Sequence, residues 1–262
     1  MAQGTGQQPA PDWRRLIGEA AANRPAPVIA ETFIRKWQSA SQPVRLRCAD
    51  GNTYVVKGRQ MGRMAFTDHV AARLGRAIGA PVPEAVALVD VPQELIAANP
   101  VEMAHMQPGV GHGTKMIDDT RSDRLAIQRN NEAYNKPRFA LLAVFFGWLG
   151  GSDTQYIYST NDPYLVYSVD HGHFFPNGPN WTMASLAAAP AAVVQPDIVQ
   201  QCGLTAAELS TACTGLTAVE PEQIAGAIGI CPDDWGVDEP ERIALAEYLH
   251  RRRAEIIAAY PH

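Results

Sequence analysis

The sequence predicts an α+β fold, in which a small antiparallel sheet with one helix laid across it is followed by a larger, mainly helical part. Residues 44–106 follow the order strand, strand, helix, strand, strand, which is typical of a sheet covered by one helix and not of a doubly wound sheet. From residue 184 onward the chain is alanine-rich with helical spacing and is interrupted by prolines. Its 262 residues are enough for one large domain or two small ones.

The first two strands are the clearest prediction. Apolar residues alternate over 44–48 and return over 54–56. Asp50 and Gly51 lie between the two runs, and glycine tolerates the positive φ that a tight hairpin turn requires. The sequence therefore predicts a β-hairpin whose second strand ends at Lys57.

A helix and two further strands are predicted next. Apolar residues recur with helical spacing over 66–79, and a glycine and a proline end the pattern. The further strands are expected at 85–91 and 101–106. The glycine-rich run at 109–114 matches a phosphate-binding loop only weakly, because it lacks the Gly-Lys-Ser/Thr ending.

The second part of the chain begins with a buried helix and a second hairpin. Residues 137–147 open with a proline and are apolar on all sides, as in a helix enclosed by the core. A hairpin is expected after this helix, with its second strand at 164–169 and with Asp153 and Asp170 at its two ends. The last helix is expected to turn its arginines at 251–253 outward.

Composition excludes several classes of protein. Lys and Arg total 22 against 27 Asp and Glu, and the net charge of −5 argues against general nucleic-acid binding. The longest apolar run, 139–149, is shorter than the ~20 residues of a membrane span, so no membrane partner is expected. The polar N-terminus has no secretory pattern, and the four cysteines show no CxxC pair. A cytoplasmic protein with reduced thiols is therefore expected.

Lys57 and Asp68 are the first candidate site residues. A lysine at a strand end is often a charge that discourages pairing between sheet edges. Asp68, in the first turn of the predicted helix, could instead reach back and hold this lysine, or it could only complement the helix dipole. A strand lysine held by a helix carboxylate is the arrangement that places an ammonium group on the phosphates of ATP in kinase-like folds.

Asp153 and Asp170 form the second candidate pair. Taken alone, each is more often a turn-forming residue, and Asp153 after Gly150-Gly151-Ser152 suits such a turn. Because they flank one hairpin, the two carboxylates can converge at one of its ends. Converging carboxylates favour Mg²⁺, which prefers oxygen ligands and completes its shell with substrate phosphates.

Five segments carry a resemblance to a known family. They are YVVKG at 54–58, AFTDHVAARLGRAIGAPVPEAVALV at 65–89, VDHG at 169–172, PNGPNWTM at 176–183 and CPDDW at 231–235. The first three resemble the HipA-like kinases, which are relatives of the protein-kinase and phosphatidylinositol-kinase folds. The last two resemble the short, stand-alone branch of that family.

The resemblance covers about residues 28–258 and implies a two-lobed, protein-kinase-like fold. An N-lobe over 28–105 would carry the small sheet, and a mainly helical C-lobe would extend over 106–262. The site would lie in the cleft between the lobes. Residues 1–27 would form a leader with a short helix that packs through Trp13.

The resemblance also implies an activity, namely transfer of the γ-phosphoryl group of ATP, with Mg²⁺, to a hydroxyl of an unidentified protein or small molecule. Lys57 would hold the ATP phosphates, with Asp68 in place of the family's pairing glutamate. Asp153 would be the catalytic aspartate that orients the acceptor hydroxyl and takes its proton. Asp170 would bind the metal, with Gln155 as an auxiliary ligand.

Further nucleotide contacts are implied less directly. Ser39 and Ser41 lie in the expected phosphate-covering loop, which contains no glycine. Glu102 and Met103 are expected near the segment whose backbone receives the adenine. Tyr158 stands where the family has a second metal-binding asparagine. These departures leave a pseudokinase, a nucleotide- or protein-binding module without transfer activity, as the alternative.

Overall fold

Residues 10–122 and 127–261 are described by the structure, a computed structural model. They form a five-stranded barrel followed by a mainly helical part, so the mixed α/β content is as predicted. None of the helices in these two ranges is long and apolar enough to cross a bilayer. The first nine residues of the leader expected over 1–27 lie outside the described ranges.

The barrel replaces the simple antiparallel sheet of the prediction. Its strands are hydrogen-bonded in the order β1-β2-β3-β5-β4, and it is closed by a short parallel contact between β1 and β4. The long strand β1 reaches both neighbours because its pairing with β2 is interrupted by two register shifts, which bend a strand and increase its twist. The strands are β1 (Val28–Lys36), β2 (Val44–Cys48), β3 (Thr53–Lys57), β4 (Val86–Val91) and β5 (Gly109–Lys115).

The strand expected at 101–106 was wrong. A short helix, α3 (Gln93–Ala98), and a series of turns occupy the connection from β4 to β5. Met103 and Met106 lie in this connection and are buried in the core of the barrel, so their apolar character serves packing and not strand formation. The fifth strand is the glycine-rich run beyond residue 105, and the first sheet therefore extends past the expected lobe boundary.

The glycines of β5 allow the barrel strands to approach each other closely. A Cβ at Gly111 would lie 2.5 Å from the carbonyl oxygen of Lys57, and one at Gly113 would lie 2.5 Å from Cγ2 of Val89. Such distances are far below van der Waals contact. The glycines of this run thus serve close packing between strands. The weak match to a phosphate-binding loop did not decide between that role and a strand.

Alternation along β3 determines which side chains face the barrel interior. Tyr54 and Val56 are buried in the barrel core, whereas Lys57 lies on the opposite face, as successive strand residues do. Helix α2 (Arg63–Ala77) packs against β4 and β5 on that outer face. Lys57 is therefore buried between the barrel and α2.

The remainder of the chain combines one large core with a second small sheet. Helix α4 (Lys136–Leu149) has a proline in its first turn and is buried on nearly all sides, as predicted. The second hairpin is present, and a third short strand extends it. These strands are β6 (Thr120–Ser122), β7 (Gln155–Ser159) and β8 (Val166–Val169), and the helices that follow are α5 (Met183–Ala187), α6 (Pro196–Cys202), α7 (Ala206–Thr217), α8 (Pro221–Gly229) and α9 (Glu239–Ala259).

The described part of the leader belongs to this core. Helix α1 (Trp13–Ala22) is capped by Asp12 and buries Trp13, Leu16 and Ile17 against α8 and α9. The predicted short helix and its packing through Trp13 are confirmed.

Arg252 contradicts most clearly the prediction that the three arginines of α9 face outward, and Arg253 is half-buried against the end of α7. The Arg252 side chain is buried and donates hydrogen bonds to the carbonyls of Gly147 and Trp148 in the last turn of α4, and to that of Pro190. Carbonyls in the last turn of a helix lack partners within the helix and carry partial negative charge. Arg252 therefore joins α9 to the end of the buried helix.

Replacing this arginine should destabilise the fold. Arg252→Ala leaves three carbonyls without their donor, and we expect the free energy of unfolding to fall by about 3 kcal/mol in urea titrations. Arg251→Ala is the matched control, because Arg251 is exposed and donates to one carbonyl, that of Leu186. Equal unfolding midpoints for the two variants would contradict the structural role of Arg252.

Candidate functional site

The centre of the candidate site is a lysine between two carboxylates. Lys57, at the end of β3, is only 5% exposed. Its Nζ donates to Oδ2 of Asp68 on α2, at 2.6 Å, and to Oδ1 of Asp170 in the loop after β8. The structure thus brings together three predicted residues from three separate elements.

The charged groups around Lys57 and Asp68 shift the pKa values of both side chains. Burial alone would lower the pKa of Lys57, but the Asp68 and Asp170 carboxylates raise it above its usual range. Burial would raise the pKa of Asp68, but the Lys57 ammonium, together with His112 and His171, lowers it well below its usual range. Both groups are therefore ionised at neutral pH.

Asp68 also holds the loop that carries Asp170. Its Oδ1 accepts the backbone N–H of His171 at 3.0 Å. The loop can come this close because Gly172 has no side chain, and a Cβ there would lie 2.5 Å from Cγ of Met64 on α2. Asp170 itself has a φ of 62°, which aspartate tolerates better than most residues. Close packing of this loop on α2 thus brings its backbone within reach of the short Asp68 side chain.

Gln155 and Asp170 lie side by side. Gln155 begins β7 and pairs with Val169 of β8, and its Nε2 is 3.3 Å from Oδ2 of Asp170. The Asp170 side chain is 25% exposed, so this side of the cluster is open to solvent. A rotation of the Gln155 amide would turn its oxygen toward a cation shared with Asp170.

The oxygen atoms of Asp170 and Gln155 suit Mg²⁺ better than they suit a metal ion that needs all of its ligands from the protein. Across 10–122 and 127–261, no group of three or more His, Cys, Asp or Glu side chains could hold a metal ion. Mg²⁺ does not need such a group, because it is commonly bound through one or two carboxylates plus substrate phosphates and water. Asp170 and Gln155 supply the kind of partial shell that this mode requires.

Asp153 lies in the loop between α4 and β7. Its side chain is exposed and its φ is 51°. Within the described residues its carboxylate has no hydrogen-bond or ion-pair partner. Since it precedes Gln155 by two residues, it lies at the end of the β7–β8 hairpin that carries Asp170.

The loop of Ser39 and Ser41 lies at the end of the barrel that carries Lys57. Val44 begins β2 directly after this loop and pairs with Val56, the neighbour of Lys57. Ser41 is 7% exposed, and its buried Oγ has no hydrogen-bond partner among the residues that the structure describes. Ser39 is half-buried. A buried hydroxyl without a partner is suited to meet a polar ligand group.

Glu102 and Met103 are not on the connection that joins the barrel to the rest of the chain. They precede β5, and the chain leaves the barrel only after Lys115. Glu102 is exposed, and Met103 fills the barrel core. Their expected proximity to the adenine stays a prediction, and the structure places them on the connection between β4 and β5.

Two histidines that were not among the candidate site residues approach Asp68. His112 is the β5 partner of Lys57 in the sheet register, and its Nε2 is 3.5 Å from Oδ2 of Asp68. His171 places Nδ1 3.4 Å from Oδ1 of Asp68, and its Nε2 lies 3.0 Å from Oγ of Ser168. No sequence signal indicated His112, because its place beside Lys57 follows from the pairing of β3 with β5.

Comparison with known proteins gives one family match. A family model described as HipA-like kinase matches residues 29–175, a range that contains Lys57, Asp68, Asp153 and Asp170. No curated protein sequence matches the chain significantly.

Among solved structures, the Helicobacter pylori proinflammatory kinase CtkA is similar with a TM-score of 0.58 and 13% identity, over 87% of this chain and 94% of that one. A Golgi casein kinase with Mn/ADP bound is similar with a TM-score of 0.43 and 11% identity, over 97% of this chain and 82% of that one. The first likeness shows a shared fold alone, and the second is too distant to carry an argument.

The Lys57–Asp68 pair should make stability depend on pH. Asp68→Asn is expected to lower the free energy of unfolding by about 3 kcal/mol near neutral pH. Because the pKa of Asp68 is lower in the folded protein than in the unfolded chain, its carboxylate stabilises the fold fully above roughly pH 4. This contribution is lost as the pH falls further, through the folded-state pKa.

Urea unfolding of both proteins from neutral to acidic pH measures this difference. The difference in free energy of unfolding between wild type and Asp68→Asn should become smaller below roughly pH 4. Asp197→Asn, which alters an exposed carboxylate, should show almost no gap at any pH. A gap for Asp68→Asn that is constant with pH would show that the carboxylate's charge is not what stabilises the fold.

Proposed function

The chain belongs to the HipA-like kinase family, and from that premise we propose that it transfers the γ-phosphoryl group of ATP to a hydroxyl group in the presence of Mg²⁺. The observation that carries the proposal is the convergence of Lys57, Asp68 and Asp170 from β3, α2 and the loop after β8. This is the combination that phosphoryl transfer requires: a fixed ammonium group and a carboxylate beside it that can bind metal.

Lys57 would bind the phosphates of ATP. Its Nζ is held by the buried Asp68, and its second carboxylate partner is the more exposed Asp170. An incoming triphosphate can take the place of Asp170 on Lys57 while Asp68 keeps the ammonium group in position. Because the net charge of the chain is −5, Lys57 and a bound cation are the expected counter-charges for the triphosphate.

Asp170 and Gln155 are the residues that would hold Mg²⁺, through carboxylate and amide oxygens. Bound there, the ion would neutralise charge on the phosphate oxygens. The hydroxyls of Ser39 and Ser41 would contact the phosphates from the loop between β1 and β2. The buried Oγ of Ser41, which has no hydrogen-bond partner within 10–122 and 127–261, supports this role.

Asp153 would act on the acceptor. Its carboxylate is exposed and has no partner among the described residues, so it is free to accept a hydrogen bond from a substrate hydroxyl. In that position it would orient the hydroxyl and take its proton as the oxygen attacks phosphorus. The acceptor is a protein or a small molecule that carries such a hydroxyl.

A nucleotide-binding module without transfer activity is the second candidate function. The observation that favours it is the environment of Tyr158, at the position of the family's second metal-binding asparagine. Tyr158 is buried in β7, and its hydroxyl accepts the backbone N–H of Gln128 at 2.8 Å. A phenol held in this way is a poor substitute for an amide ligand.

Removing the Asp153 carboxylate should abolish transfer but preserve binding. We expect Asp153→Ala to lower the rate of phosphoryl transfer by about 10²- to 10⁴-fold, measured as ADP release with radiolabelled ATP. Nucleotide affinity should change little, because Asp153 does not touch Lys57 or Asp170. Asp197→Ala serves as the exposed-carboxylate control. Transfer by Asp153→Ala at the wild-type rate would overturn the role of this residue.

Thermal unfolding with ATP separates the two candidate functions. For a kinase, ATP with Mg²⁺ should raise Tm by about 5 to 10 °C at roughly a hundred-fold excess over Kd, and ATP alone by much less. Asp170→Asn should lose the part of the shift that depends on the metal. A shift that is the same without Mg²⁺ would favour the binding module, and the absence of any shift would contradict both.

A further inference from the structure

Besides Lys57 and the backbone N–H of His171, two histidine rings approach the Asp68 carboxylate, that of His171 at Oδ1 and that of His112 at Oδ2. His112, on β5, is 1% exposed and lies directly across the sheet from Lys57. Its Nε2 faces Oδ2 of Asp68 at 3.5 Å, and this is the oxygen that also accepts from Lys57. Two groups from adjacent barrel strands therefore approach the same carboxylate oxygen.

A second buried histidine contacts His112 from the helix. His69, the residue after Asp68 on α2, is fully buried, and its Nδ1 is 3.2 Å from Nδ1 of His112. At this distance one of the two nitrogens must carry a proton and the other must accept it. Burial lowers the pKa of His69 well below its usual range, so this ring is neutral.

The surroundings of the two rings decide where the protons lie. If Nδ1 of His112 carried the proton, its neutral Nε2 would direct a lone pair at the Asp68 carboxylate, which is repulsive. With the proton on Nε2 of His112, that nitrogen donates toward Asp68, and Nδ1 of His112 accepts from Nδ1 of His69. The Nε2 of His69 is buried and has no partner in the described part of the chain, which agrees with a nitrogen that carries no proton.

We propose that His112, in the tautomer selected by His69, is a positioning residue that directs Oδ2 of Asp68 toward Lys57. The proposal rests on the proposed phosphotransfer function and adds to it a residue that touches neither nucleotide nor acceptor. Aspartate is one methylene shorter than glutamate, so fewer of its orientations reach the lysine. The contact with His112 restricts the position of Oδ2, and the hydrogen bond from the backbone N–H of His171 restricts the position of Oδ1.

Ring nitrogen NMR tests the tautomers without an activity assay. In protein labelled with ¹⁵N-histidine, long-range correlations distinguish a protonated ring nitrogen from an unprotonated one. We expect His112 to be protonated at Nε2 only and His69 at Nδ1 only. The opposite tautomer of either ring, or averaging between tautomers at His112, would overturn the proposal.

Two substitutions test the positioning role in the reaction. His112→Leu removes the donor and keeps an apolar side chain, and we expect kcat to fall about ten-fold with a smaller change in KM for ATP. His112→Gln supplies an amide donor and should recover most of kcat. His250→Gln, at a partly buried histidine on α9 that contacts Trp13, is the control and should behave as wild type.

Urea unfolding of each variant shows whether a lower kcat comes from a less stable fold or from a misplaced Asp68 carboxylate. If His112→Leu and His112→Gln lose activity equally, or if neither loses any, His112 does not act through its donor and the proposal fails. If wild type transfers no phosphate, the proposed function fails, and the tautomers of His69 and His112 then decide whether His112 directs Asp68.

Discussion

The ion pair between Lys57 and Asp68 is the constraint on which the site depends. A buried ammonium group is costly unless it is paired and hydrogen-bonded. Here the partner comes from α2, so the pair joins the barrel to the helix, and the same carboxylate accepts the backbone N–H of the loop that carries Asp170. One side chain thereby orders the three elements that form the site.

The C-terminal region holds α2 in the position that this ion pair needs. At the start of the helix, Arg63 donates to the carbonyls of Trp181 and Gly236 and to Glu241 of α9. Trp235 packs its ring edge-on against His69 and donates to the carbonyl of Val110 on β5. The segment after α8 therefore contacts both the helix and the barrel, and links the end of the chain to residues beside Asp68.

Local patterns predicted the elements well where the local signal was strong. The Asp-Gly turn predicted the first hairpin, and the all-apolar run predicted the buried helix α4, because turn geometry and burial depend on nearby residues. Residues 101–106 were misassigned because an apolar run that fills the end of a barrel has the same composition as a strand. The outward position of Arg252 was wrong because its partners, the carbonyls that end α4, are distant in sequence.

The sequence by itself determined the residue types of the site and, through the family resemblance, the identity of Lys57, Asp68, Asp153 and Asp170 as candidates. Only the tertiary structure decided which of them meet. Asp68 reaches Lys57 because α2 packs closely on β4 and β5, and His112 joins them because β5 pairs with β3. Strand order and helix packing depend on contacts between residues far apart in the chain, and such contacts leave no local periodicity to detect.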